Sequence, residues 1–165
     1  VVEKTSHEVY CIFRNEEYIM LYIACDKKGM ELKNQLVDAL ISHQIEYVDL
    51  SRDGDTFLDA ADRVCDHVLE NRQIHKGIII DEYGTGSFMA AVKRKYIICA
   101  QCSDEHSAKM TRDHNNANVI TMGAGIIGFD VAKRIALRFC RAAYSGGRHQ
   151  IRVDMLDKMG NEEPL

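Results

Sequence analysis

Residues 77–87 read Gly77-Ile78-Ile79-Ile80-Asp81-Glu82-Tyr83-Gly84-Thr85-Gly86-Ser87. A short apolar run ended by an acidic residue and a glycine-rich loop reads as a strand buried on both faces that hands over to a helix. Working outward, the same unit recurs. Leu21–Cys25, Glu46–Leu50, Tyr96–Cys102 and Val119–Met122 also read as buried strands, and helical patterns separate or follow them at Glu31–His43, Phe57–Asn71, Phe88–Arg94, Asp104–Asp113 and Phe129–Arg141. Alternating strand and helix, with a single Pro in 165 residues, predicts an α/β protein. Its sheet should be parallel, covered on both faces and joined by right-handed crossovers. Ligands bind such sheets at the carboxyl ends of the strands. That directs attention to Asp26-Lys27, Asp81–Gly86, Ser103-Asp104 and Gly123–Gly128.

With 46% hydrophobic and 28% charged residues, the chain has the composition of one globular domain with its own core, placed at residues 20–159. Residues 1–19 read as an N-terminal extension that lacks the basic start and long apolar centre of a secretion signal. Val9–Phe13 within it has a strand-like pattern, and residues 160–165 are expected to fray. A formal charge of -4 with no Lys/Arg run argues against nucleic acid or an anionic membrane surface as the main partner. No apolar stretch approaches the roughly 18 residues of a membrane span. The six cysteines, mostly embedded in apolar runs, read as reduced core residues of a cytoplasmic protein. Cys99 and Cys102 form a C-x-x-C within a strand, where residues three apart face opposite ways, so they are not expected to share a metal or a redox function.

Gly123-Ala124-Gly125-Ile126-Ile127-Gly128 has the spacing of a dinucleotide loop. Such a loop needs an acidic residue ending a second strand about 20 residues on, and that stretch here is Tyr144-Ser145-Gly146-Gly147 after a helix. The glycines are therefore read as a tight strand-to-helix turn, with no cofactor. At Asp81–Ser87 the backbone amides could form an anion nest with Ser87 capping the following helix. Two roles are open to Asp81: proton carrier at the end of an apolar strand, or cap of its own loop. His114 closes a helix, where it serves either as a capping cation or as an acid facing a sugar. Arg148 and Arg152 follow a Gly-Gly turn at a spacing of four, so they share one helical face and either suit a phosphate dianion or form the solvated face of an amphipathic terminal helix.

Ile23–Asp26, Ser103-Asp104 with Ser107-Ala108, Arg112–Val119 and Gly146–Val153, in this order, together resemble the ribose-5-phosphate isomerase B and galactose-6-phosphate isomerase family. Within it, Asp81–Met89, His114–Ala117 with Ile120–Gly123, and Gly146–Met155 are most similar to the A-type subunits of galactose-6-phosphate isomerase. The resemblance implies a Rossmann-like three-layer α/β/α sandwich with a five-stranded parallel sheet and a C-terminal helix docking on a partner subunit. It implies dimers or larger assemblies with sites at the interface, and metal-free interconversion of aldose and ketose phosphates. By position, Arg148 and Arg152 would hold the phosphate and His114 would assist ring opening. Asn115 with the Gly84 and Gly86 backbone would bind the sugar and its enediolate, and Asp26 would meet sugar hydroxyls.

The departures from the family are concentrated. Asp81 stands in place of the family's cysteine base, Glu82 of a glycine, Tyr83 of a threonine, Lys27 of a histidine and Gly125 of an arginine. Lys27 and Tyr83 would still face the substrate. The A-type subunits share such departures and work with a B-type subunit that keeps the cysteine, which implies a paralogous partner. The alternatives are a homomer using Asp81 as base, and a non-catalytic subunit that binds a phosphorylated sugar.

Overall fold

The computed structural model describes residues 13–14, 17–18 and 20–159. Phe13–Arg14 (β1) and Glu17–Tyr18 (β2) form a small antiparallel pair. The rest of the strand-like stretch at Val9–Phe13 and the tail at 160–165 lie outside the described residues. The main domain then runs β3 (Leu21–Cys25), α1 (Met30–Ser42), β4 (Tyr47–Asp49), α2 (Phe57–Glu70), β5 (Lys76–Asp81), α3 (Thr85–Ala91), β6 (Cys99–Gln101), α4 (Glu105–Asn115), β7 (Val119–Gly123) and α5 (Phe129–Arg141). A 3-10 turn at Gly147–His149 leads into α6 (Gln150–Met159).

The five-stranded sheet has the order β4-β3-β5-β7-β6, and every pairing is parallel. Alternate side chains leave the strands on opposite faces. Ile23, Ile78, Ile80, Ile120 and Met122 meet Leu36 and Leu40 of α1 and Ile135 and Phe139 of α5 in one core layer. Tyr22, Ala24, Ile79 and Val119 meet Ala61, Val64 and Val68 of α2 in the other. The fold is thus a Rossmann-like three-layer sandwich. Cys102 belongs to the first layer and Cys99 packs against the second, so this pair does face opposite ways.

The edge strands are shorter than their apolar runs. Tyr96 takes a left-handed φ of 65°, and the Asn118 side chain binds Tyr96 O at 2.9 Å and accepts the Ile98 N–H at 3.0 Å. Those backbone groups are spent before the ladder starts, leaving β6 only Cys99–Gln101. At the other edge, β4 exposes part of the run expected to be buried, with Val48 37% exposed. An apolar run alone does not distinguish a central strand from an edge.

Lys76, buried at the start of β5, donates to the carbonyls of Phe139 at 3.0 Å, Cys140 at 2.7 Å and Ala142 at 3.2 Å. An ammonium on the last carbonyls of α5 satisfies acceptors that a helix end leaves open and complements its dipole. It also sets where the chain leaves for Gly146. Lys76→Met should cost about 2–4 kcal/mol, because the carbonyls lose a charged donor inside the protein. Urea unfolding measures this, and a loss below about 0.5 kcal/mol would contradict the role.

Candidate active site

At the carboxyl ends of β3 and β5, where strand order reverses, the loops after Cys25 and Asp81 meet. Asp26 accepts from the N–H groups of Lys28 at 2.9 Å and Gly29 at 3.0 Å, and so organises the entry to α1. Asp81 is 4% exposed. One carboxylate oxygen accepts from Tyr83 N–H at 2.9 Å and from Gly84 N–H, and the other accepts from Ser87 N–H at 2.7 Å. Of the roles open to Asp81, cap of its own loop is the one its geometry displays.

Gly84 has a φ of 76°, and a Cβ there would lie 2.9 Å from the Met122 carbonyl carbon. Only glycine combines that torsion with so close an approach. The turn lets α3 begin at Thr85, three residues ahead of the predicted Phe88, with Gly84 and not Ser87 at the cap position. Ser87 is instead buried within the helix. The loop's carbonyls are also engaged: Asp81 O by Ala124 N–H at 2.8 Å, Glu82 O by Gly125 N–H at 2.8 Å, Tyr83 O by Gln101 at 2.8 Å and Gly84 O by Thr121 Oγ1 at 2.7 Å. The glycines after β7 thus serve as a turn fastened to the β5 loop. Gly86 sits against the Phe57 ring, while Lys27 and Tyr83 are exposed. A cleft of about 360 Å³ beside them is lined by Lys28, Glu31, Gln35, Glu82, Gly125 and Phe129 among others.

The cationic residues gather elsewhere. His114 and Asn115 end α4 just before β7 begins, so they sit at the amino ends of the strands. Arg112, buried beneath them, donates to Asn116 Oδ1 at 2.6 Å and to Ala117 O at 3.2 Å, fixing the turn. Ser145 donates its hydroxyl to Asp113 and its N–H to Asp113 O at 2.9 Å, tying the Gly146-Gly147 turn to α4. Ser145, and after it Lys109, hold the Asp113 carboxyl below its usual range. The His149 ring stacks on His114, with centroids 4.3 Å apart and planes 7° from parallel. Arg148 falls in the 3-10 turn and Arg152 in the first turn of α6, so the helix begins after the first arginine rather than containing both. Both arginines are exposed. Among the described residues, no group of three or more His, Cys, Asp or Glu side chains is placed to hold a metal ion.

Residues 21–156 match the ribose/galactose isomerase family. The chain belongs to this family. It is 46% identical over 139 residues to galactose-6-phosphate isomerase subunit LacA of Lactococcus lactis, covering 84% of this chain and 98% of that one. It is 47% identical to the LacA subunit of Streptococcus pneumoniae over 85% of this chain and 99% of that one. The fold is similar to ribose-5-phosphate isomerase B from Mycoplasma genitalium with bound ribulose-5-phosphate, at a TM-score of 0.81, 32% identity and coverage of 87% and 97%. The ribose 5-phosphate isomerase of Thermotoga maritima gives a TM-score of 0.79 at 30% identity, covering 86% of this chain and 99% of that one.

The family motifs therefore fall into two clusters on this chain. Asp26, Lys27, Asp81, Tyr83, Gly84 and Gly86 lie at the carboxyl ends of the strands, and His114, Asn115, Arg148 and Arg152 at the amino ends. A five-residue strand separates the two by roughly 16 Å at about 3.3 Å per residue. A single chain does not bring them together. His149 joins the second cluster, and its place directly after Arg148 is the sequence signal for it. Its imidazole is held below the usual range by desolvation, then by the like charges of His114, Arg148 and Arg152, with Asp113 opposing.

Because the folded-state value is depressed, His149 resists protonation in the folded chain. Stability from this source is full above the unfolded value of about 6.5 and falls as pH drops from there through the folded value. In a ring-proton NMR titration, His149 should titrate below about 6.5, and inorganic phosphate should move its midpoint upward by neutralising the surrounding cations. A midpoint that ignores saturating phosphate would rule this cluster out as an anion site.

Proposed function

We propose that this chain is one subunit of a hetero-oligomeric aldose–ketose isomerase that interconverts D-galactose 6-phosphate and D-tagatose 6-phosphate. The observation that carries the reading is the division of the site between opposite ends of the sheet. A chain built this way completes a site only by presenting one end to the other end of a second subunit. The names of the LacA relatives, which are subunits of a galactose-6-phosphate isomerase, support the substrate and the partnership. The partner is a B-type paralogue that keeps the cysteine in its β5 loop. Self-association alone would place the Asp81 loop opposite the cations and leave the site without a free base. Family membership and a thiol-rich core free of disulfides among the described cysteines fit a cytoplasmic enzyme.

In this assembly Arg148 and Arg152 grip the phosphate through charge-assisted hydrogen bonds, with His149 beside them. His114 gives a proton to the ring oxygen as the C1–O5 bond opens, while the C1 hydroxyl proton is lost and the free aldehyde forms. The partner's thiolate takes the C2 proton, producing a cis-enediolate whose oxygens are met by Asn115 and by backbone amides. Return of that proton to C1, with transfer of the O2 hydroxyl proton to O1, gives the ketose, so the base is regenerated and no redox partner is consumed. Ile151, Met155 and Met159, spaced by four on α6 and 69%, 58% and 72% exposed, form an apolar stripe. That stripe docks on the partner and brings the adjoining arginines to its loop.

Purified alone, the chain should turn over galactose 6-phosphate poorly, and co-expression with the Cys-Gly-Thr-Gly paralogue should restore activity. Robust turnover by the single chain would sink the shared-site reading. In the assembled enzyme, Arg148→Ala or Arg152→Ala should lower kcat/KM by roughly 10–150-fold, corresponding to about 1.5–3 kcal/mol for a lost charged hydrogen bond. The assembly itself should persist on size-exclusion chromatography, and equal kcat/KM for both variants and the parent would remove the arginines from the site.

A further inference from the structure

We infer that Asp81 is an internal anion that fills the amide nest of its own β5 loop, so that this end of the chain is closed to a substrate oxyanion. A nest binds anions because successive N–H groups converge on one point. Here the N–H groups of Tyr83, Gly84 and Ser87 converge on the two carboxylate oxygens of a side chain that is 4% exposed. None of the three is left for a ligand. The neighbouring surface carries a second sign of the same closure. A Cβ on Gly125 would lie 3.6 Å from Glu82 Cγ, so the Glu82 side chain passes over the position beside the cleft, and its carboxylate lies 3.9 Å from Lys28. A phosphorylated sugar approaching this loop meets Asp81 on three of its amides, and beside them Glu82 already facing Lys28.

Asp81 is therefore a positioning residue. It holds the loop in the shape that packs against β7, through the Asp81 O, Glu82 O, Tyr83 O and Gly84 O bonds, while occupying the Tyr83, Gly84 and Ser87 amides. Resting on the shared-site reading above, one consequence follows for the assembly. Of the two composite sites that a pair of unlike chains can form, the one made with this chain's β5 loop is silent. The one made with this chain's His114 and arginine cluster works.

The test maps backbone amides of the intact chain by NMR, with inorganic phosphate as the probe. The Gly84 and Ser87 amides should exchange slowly with solvent and stay unmoved by phosphate, while amides at Gly147–Arg152 shift. Phosphate-dependent shifts at Gly84 and Ser87 would overturn the closure. Absence of shifts at Gly147–Arg152 would instead count against the phosphate clamp and leave the closure standing. Asp81→Asn keeps only one oxygen acceptor, so either Ser87 or the Tyr83 and Gly84 pair should exchange about tenfold faster or more, with the amides of β3 unchanged. Asp81→Ala should release all three, and unchanged exchange in either folded variant refutes the proposal. If Asp81→Ala does not fold, the Asn variant decides. In the co-expressed assembly, calorimetry should count one sugar phosphate per pair of unlike chains, and two would refute the silent site.

Discussion

All five strands of the main sheet run in one direction, and the rest of the molecule follows from that polarity. Every loop after a strand lies at one rim and every helix return lies at the other. Asp26 and Asp81 follow strands, whereas His114 precedes one. No local rearrangement brings them together, because strands buried on both faces fix both rims at once. The chain is left with two separate surfaces, and the proposed function joins them by association with a second subunit.

The two surfaces are held by different physics. The carboxyl rim is rigid through neutral and charged hydrogen bonds packed into the protein: a buried carboxylate on three amides, four loop carbonyls all engaged, and glycines pressed against backbone. The amino rim is held from beneath by cations. Arg112 secures the turn below His114, and Lys76 the end of α5 below the Gly146 turn. Its own cations are crowded, and His149 is depressed first by desolvation and then by the neighbouring like charges. Such crowded positive charge costs stability.

The alternation of strand and helix was legible because buried parallel strands are continuous apolar runs and the helices carry a different period. Local sequence points to Ser87 as a cap because capping preference is a local property, while the actual cap arrives from Asp81 across a left-handed Gly84. The length of β6 was overestimated because Asn118, twenty residues downstream of Ile98, takes its N–H. The Arg148–Arg152 pairing was visible as a spacing of four, but the helix starts between them. His149 passed unnoticed for want of its stacking partner, whose ring comes from α4.

The sequence by itself determined the α/β layering and the family, because these depend on periodicity and on short motifs whose residues are neighbours in the chain. It also offered two readings of the paired arginines, a clamp for a dianion or a solvated face of the terminal helix. The tertiary structure alone decided that these arginines and the Asp81 loop face opposite rims, and that Asp81 spends its carboxylate on its own backbone. The physical reason is that hydrogen-bond partners and strand polarity are relations between distant segments, and a one-dimensional pattern specifies residue types without specifying which of them converge.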